Sequence, residues 1–184
     1  MRLLLHTCCA PCAIYPAREA KKNNYIVTGF FYNPNIHPCS EYIRRKREAE
    51  IYFKSEGLEL LVPGYDTVDF FRNIKASRCG VCWNIRLERT ASFAKEKGFD
   101  AFTTTLLGSP YQDHGVLKEL CENLSKEKGL NFYYKDFRIG FGEAHKAAAE
   151  KGMYCQNYCG CVFSMVEREE AKRAKKRCTI SVNP

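Results

Sequence analysis

Long apolar runs are absent from this 184-residue chain. The N-terminal stretch Leu3-Leu4-Leu5 follows a single basic residue, Arg2, and is cut short by His6 and a group of thiols. That is not the pattern of a signal peptide, and no segment approaches the ~20 apolar residues needed to cross a bilayer. Gly/Ser linkers and internal repeats are also missing, so one domain over residues 1–184 is expected, ending in a basic stretch from about residue 167. The 12 glycines nowhere gather into a phosphate cradle or a Gly-x-Gly-x-x-Gly fingerprint, which argues against nucleotide activation and against a flavin or nicotinamide held in the usual way. Acidic residues are in deficit, 21 against 29 Lys and Arg, and the net charge of +8 favours a polyanionic partner.

Cysteine is the residue in excess, with 11 in the chain, eight of them in three tight groups. The first is His6-Thr7-Cys8-Cys9-Ala10-Pro11-Cys12, the second Cys79-Gly80-Val81-Cys82, and the third Cys155-x-x-x-Cys159-Gly160-Cys161. A disulfide scaffold fits poorly, because the count is odd and a 45% apolar composition supports an ordinary core without staples. A reducing, cytoplasmic setting is the expectation. Cys121 stands apart on the apolar stripe Leu117, Leu120, Leu124 and is read as a small core residue.

Strand and helix patterns alternate. Strands are expected at Leu3–Leu5, Tyr25–Tyr32, Leu58–Val62, Ala101–Leu107 and Asn131–Tyr134, rich in β-branched and aromatic residues. Between them, helices are expected from Pro16, from a Ser40 cap to Gly57, from Val81 to Lys97, from an Asp113 cap to Gly129, and from Ala144 to Lys151. This is an α/β fold with a parallel sheet and helices on both faces. Ligands of such sheets bind beyond the carboxyl ends of the strands. The first thiol group follows strand one, and Leu107 to His114 follows a later strand, so both should face one rim.

Two CxxC units, Cys9/Cys12 and Cys79/Cys82, are compatible with a four-thiolate zinc site, although their separation far exceeds knuckle spacing and Cys8 would be left over. Thiolates also select iron-sulfur clusters, which need about four. Cys8, Cys9, Cys12, Cys79, Cys82, Cys159 and Cys161 outnumber that need, so a cluster could coexist with a second metal or a redox dithiol. One intervening glycine lets Cys159 and Cys161 meet one metal ion, or close a strained, redox-active disulfide.

The strings His6 to Cys12, Tyr32-Asn33-Pro34-Asn35-Ile36-His37-Pro38, Glu41-Tyr42, Arg78-Cys79-x-x-Cys82, Thr104-Thr105-Leu106-Leu107-x-Ser109-Pro110-Tyr111-Gln112 and Tyr158-Cys159-Gly160-Cys161 together strongly resemble the QueH family of epoxyqueuosine reductases, over residues 1 to about 166. The resemblance implies a Rossmann-related fold similar to the adenine nucleotide α-hydrolases. ATP-using members of that wider group carry a Ser-Gly-Gly-x-Asp-Ser loop after the first strand, where this chain has His6 to Cys12. It further implies a [4Fe-4S] cluster on Cys8, Cys9, Cys79 and Cys82, with Cys12 as the alternative to Cys8.

The activity implied is the last step of queuosine biosynthesis: two-electron removal of the epoxide oxygen from epoxyqueuosine at the tRNA wobble position, driven by an external low-potential electron donor. Cys159 and Cys161 are placed at the reacting centre, on a second mononuclear iron or as a disulfide, with Cys12, Asp113 and His114 as candidate further ligands and the last two also as catalytic candidates. His6 and Tyr111 join these two as candidate proton donors. Arg44, Arg45, Lys46 and Arg47 are the first candidates for tRNA phosphate contacts, and Tyr32, Tyr111 or Trp83 for stacking a flipped base. The basic tail, from Arg168 through Lys172, Arg173, Lys175, Lys176 and Arg177, reads as a solvated helix face. Two other classes compete: a zinc-stabilised RNA-binding module, which needs no surplus thiols, and an iron-sulfur electron carrier, which needs no basic surface.

Overall fold

The computed structural model describes residues 1–74 and 78–180, without the side chains of Asp69 and of residues 175–180. Five strands, β1 (Arg2–His6), β2 (Ile26–Phe30), β3 (Glu59–Leu61), β4 (Ala101–Thr104) and β5 (Asn131–Phe132), form one sheet in the order β3-β2-β1-β4-β5, and every pairing is parallel. The helices are α1 (Ala10–Lys22), α2 (Cys39–Ser55), α3 (Val68–Asn73), α4 (Arg78–Glu96), α5 (His114–Lys128), α6 (Phe141–Glu150) and α7 (Val162–Ile180). The expected α/β architecture is present.

β1 explains the layering. Its apolar run alternates across the sheet: Leu4 enters a core with Phe30, Phe102, Leu87 and Leu117, whereas Leu3 and Leu5 enter one with Ala13, Ala17, Val27 and Phe53. All three leucines are fully buried, each contributing roughly 1.5–3 kcal/mol. Helices therefore cover both faces, as a buried parallel sheet requires. Gly29 on β2 is obligatory for this packing, because a Cβ there would run into the Phe53 ring and lie 2.6 Å from Leu60.

Several boundaries differ from the sequence expectation. α1 starts at Ala10, not Pro16, because Cys9 is extended (φ −168°, ψ 163°) and its sulfur accepts the backbone N–H of Cys12. Pro11 then occupies the first turn, where no donor is needed, and Pro16 lies inside the helix. The expected Ser40 cap gives way to Pro38, with α2 beginning at Cys39. β4 stops at Thr104 because its hydroxyl accepts the Leu106 N–H and starts a 3₁₀ turn over Thr105–Gly108. α6 begins at Phe141, three residues before Ala144. Asp113 caps α5 and left-handed Gly129 ends it, as expected. The tail is helical, with Glu169 paired to Arg168 and Lys172. The side chains of Lys175, Lys176 and Arg177 and residues 181–184 lie outside the described residues. Among the described residues no helix is long and apolar enough to cross a membrane.

Candidate thiol site and adjoining cavity

The chain reverses its direction of strand addition between β1 and β4, which makes their carboxyl ends a topological switch point. The first thiol group sits there. Cys8 N–H donates to the Thr105 hydroxyl (3.1 Å), which in turn lies 3.2 Å from Cys8 Sγ. The sulfurs of Cys8, Cys9 and Cys12 all lie within 4.8 Å of one another. Cys9 and Cys12 are joined as a disulfide, whereas Cys159 and Cys161, the pair for which a disulfide was one expectation, are free thiols. A CxxC entering a helix holds its two Cα atoms 5.5 Å apart, within the span a disulfide bridges.

Behind the thiols lies a buried polar centre. Arg86, on the turn of α4 after Cys82, donates to His6 Nε2 (3.3 Å) and Asn33 Oδ1 (2.8 Å), and its third nitrogen lies 3.8 Å from Cys82 Sγ. His6 is fully buried, and desolvation followed by the Arg86 charge holds its pKa well below the ordinary histidine value. Its Nδ1 lies 2.9 Å from Thr104 Oγ1, and its Nε2 lies 3.3 Å from both Arg86 Nε and the Tyr32 carbonyl oxygen. His6 thus braces the strand ends. Asn33 completes the brace by donating to Thr7 O (2.9 Å).

The second and third thiol groups approach this centre. Burial raises the Cys82 thiol, opposed by Arg86 and reinforced by Cys161 and Cys79. Cys159 is an exposed residue, yet desolvation of its thiol pushes it up to about 11, with Arg86 opposing and Cys82, Cys161 and Cys8 adding to the rise. Thiols from all three groups therefore lie within one another's fields. The third group is anchored by Arg45, whose guanidinium donates to Cys159 O (3.0 Å) and Tyr158 O (3.1 Å) while its Nε pairs with Glu41 (2.7 Å). His37 N–H donates to Gly160 O (2.7 Å), and the Tyr158 hydroxyl donates to His37 O. Gly160 has a φ of +131°, and a Cβ there would crowd Ile36, Arg45 and Asn35, so glycine is required between the two cysteines.

A cavity of about 510 Å³ opens beside the thiols, with Cys12 and Cys159 in its wall. Aromatic side chains dominate the rest of its lining, Tyr15, Tyr111, Phe137, Phe141 and Tyr158 among them, with Gln112, His145 and Gln156 supplying polar groups. Gln156 donates to Cys9 Sγ (2.9 Å) and Cys12 Sγ (3.4 Å), and its buried Oε1 has no partner.

Other expected site residues are distributed unevenly. Tyr111 is 84% exposed at the cavity and edge-on to Phe141 (6.2 Å). Trp83 is buried, with its indole donating to Gln112 Oε1 (2.8 Å). It is therefore a core residue and not a base-stacking platform. Tyr32 is half-buried against Phe30. Asp113 accepts from Val116 N–H as the α5 cap, His114 contacts the Tyr134 hydroxyl (3.2 Å), and neither lines the cavity. Arg45 is 1% exposed and is removed from the candidate RNA surface, because its cation is spent on Glu41 and two carbonyls. Arg44 and Arg47 remain exposed, Arg44 lying over the Tyr154 ring (3.6 Å), while half-buried Lys46 pairs with Glu50. Cys121 is a buried core thiol, as expected.

Sequence reasoning missed Arg86, Gln156 and His145. Arg86 was accessible as the residue one helical turn after Cys82. His145 lies inside the expected helix Ala144–Lys151, but no local spacing ties it to the thiol groups, and only the packing brings it to the cavity. Gln156 sits in irregular chain, where spacing carries no directional information.

Comparison with known proteins is consistent with this geometry. A family model described as "Epoxyqueuosine reductase QueH" matches residues 3–167. The curated protein "Epoxyqueuosine reductase QueH" of Dehalococcoides mccartyi is 36% identical over 171 residues, covering 91% of this chain and 94% of that protein. The protein of the same name from Thermotoga maritima is 34% identical over 193 residues, covering 95% and 97%. Among solved structures, a predicted subunit of tRNA methyltransferase from Methanocaldococcus jannaschii superposes with a TM-score of 0.56 at 16% identity, over 82% of this chain and 75% of that one, a likeness of fold.

Proposed function

We propose, from the premise that this chain belongs to the QueH family of epoxyqueuosine reductases, that it reduces epoxyqueuosine in tRNA to queuosine. Two electrons and two protons convert the epoxide to the alkene of the cyclopentene ring and release its oxygen as water. The observation that carries the reading is the shared wall: Cys12 and Cys159 face the same aromatic cavity. A modified base extruded from a single-stranded loop would find rings to stack on and thiol-borne redox chemistry at one end.

The donor set fits a thiophilic metal. Three sulfurs within 4.8 Å, further thiols in electrostatic reach and an unpartnered Gln156 Oε1 beside them suit an iron-sulfur cluster better than a closed zinc knuckle. Cys8, Cys9, Cys79 and Cys82 are the proposed [4Fe-4S] ligands, with Cys159 and Cys161 left for a second iron or a redox dithiol. When bound, such a cluster supplies low-potential electrons one at a time. For Cys9 to serve, its disulfide with Cys12 must first take up two electrons and two protons from an external reductant.

The remaining steps belong to side chains. Tyr15, Phe137 and Phe141 shape a water-poor wall. Arg45 fixes the Tyr158–Cys159 backbone, and Gln156 orients the Cys9 and Cys12 sulfurs. Of the proton-donor candidates His6, Tyr111, Asp113 and His114, Tyr111 lines the cavity, as does His145, which supports these two as the proposed proton donors to the departing oxygen.

The test is anaerobic incubation of reconstituted protein with epoxyqueuosine-containing tRNA and a low-potential reductant, followed by digestion and mass analysis of nucleosides. Loss of the mass of one oxygen atom, dependent on iron, sulfide and reductant, is the expected result. Tight tRNA binding by a zinc-only protein that leaves the epoxide intact would instead identify an RNA-binding module.

A further inference from the structure

Arg86 is a buried cation with no ion-pair partner among the described residues. Only 2% of its surface is exposed, and its hydrogen-bonding neighbours are His6, Asn33 and the Cys82 thiol. Among the described residues no carboxylate pairs with it. A guanidinium stays charged at every physiological pH, and burying such a charge is costly unless it is paired. Of its neighbours, neither the His6 ring nor the Asn33 amide offers a negative charge. The ionisable groups that face it include thiols: Cys82 Sγ lies 3.8 Å from its guanidinium, and Cys159 lies within its field. The fold has thus placed a fixed positive charge against the Cys82 thiol and held it, almost fully buried, by His6 at the end of β1 and Asn33 in the loop after β2.

We propose that Arg86 is the internal counter-cation of the thiolate-bound cluster, a positioning residue that raises the cluster's reduction potential and helps retain its iron. The inference rests on the cluster reading above. Each one-electron reduction adds a negative charge to an assembly that is already anionic, and a nearby fixed cation in a low-dielectric site stabilises the more negative state. Hydrogen bonds and net charge around the sulfurs are recognised levers on such potentials. Arg86 would then decide how strong an external reductant this chain requires, without touching the substrate.

The experiment uses the anaerobically reconstituted full chain and its Arg86→Gln, Arg86→Lys and Asn33→Asp variants, with midpoint potentials from titrations followed by electron paramagnetic resonance. Arg86→Gln removes the charge. Asn33→Asp leaves the guanidinium in place but pairs it with a carboxylate, so it tests charge even if Arg86→Gln does not fold. Expected are at least tenfold weaker one-electron reduction in Arg86→Gln and Asn33→Asp, equivalent to a negative shift of about 59 mV, and a smaller shift in Arg86→Lys. Iron content per chain should fall in the same order. Wild-type potentials in Asn33→Asp and in any folded Arg86→Gln sample overturn the proposal while leaving the cluster reading intact. A wild-type chain that takes up zinc but neither iron nor sulfide overturns both.

Discussion

Arg45, on the second turn of α2, donates to the carbonyl oxygen of Cys159 at 3.0 Å, across 114 residues of sequence. The contact turns a residue of an apparently surface-basic run into the support of the third thiol group. Replacing Arg45 by Met should cost about 3–5 kcal/mol, because Glu41 is left with a nearly buried, uncompensated charge and two carbonyls lose their donors. Arg45→Lys should lose less, keeping the Glu41 pair but not the fork. Chemical denaturation of the metal-free proteins gives both values, and an Arg45→Met loss below about 1 kcal/mol would contradict the anchoring role.

Stability should fall as pH drops below about 6.5. The folded-state pKa of His6 is depressed, chiefly by desolvation, and burial lowers His37 and His114 too. Above the unfolded value of about 6.5, both states hold the neutral ring and nothing is lost. Below it, the unfolded chain binds protons that the folded chain refuses, so each such histidine removes up to about 1.4 kcal/mol per pH unit until its folded pKa is reached. Denaturation midpoints at pH 7.5, 6.5 and 5.5 should show a plateau and then a decline, shallower in His6→Asn.

Iron uptake should depend on opening the Cys9–Cys12 disulfide. Alkylation under denaturing conditions, followed by mass analysis, should tag both cysteines only after reduction. Cluster assembly should fail on the oxidised chain and proceed after dithiol treatment. Equal assembly in both would show that neither Cys9 nor Cys12 is a ligand.

Gln156 is expected to matter through its two N–H···S contacts. Outer partners of metal ligands typically contribute 10–100-fold in affinity or activity. Gln156→Leu should therefore release iron to a chelator correspondingly faster, with little change in the unfolding midpoint of the metal-free chain. Unaltered release would leave Gln156 as a packing residue.

The exposed Tyr111 side chain should contribute to tRNA binding and hardly at all to folding. Tyr111→Ala should weaken binding by about 1–3 kcal/mol, the usual value of a stacked base. Arg44→Ala with Arg47→Ala should instead lower the salt dependence of binding. Gel-shift titrations at several salt concentrations separate the two effects.

Much of this protein was legible from residue order alone. The alternation of Leu3-Leu4-Leu5 with helix-capping and turn residues implied a parallel sheet, because a strand buried on both faces must be apolar throughout. The Asp113 cap, the Gly129 stop and the core position of Cys121 follow from local rules that need no distant partner. The thiol groups, separated by about 70 residues each, were also visible as units, since spacing within one turn is a local property. What only the tertiary structure decided is which side of each unit meets which other unit. Arg45 and Arg44 are sequence neighbours with the same charge, yet one is buried against Cys159 O and the other lies exposed over Tyr154. Nothing in the run Arg44-Arg45-Lys46-Arg47 distinguishes them, because the 100° step between successive helix residues assigns faces only once the packing partner is known. Arg86 likewise becomes an unpaired interior cation only when β1 and the Asn33 loop close over α4. Local chemistry set the ligands, and long-range packing set the field they work in.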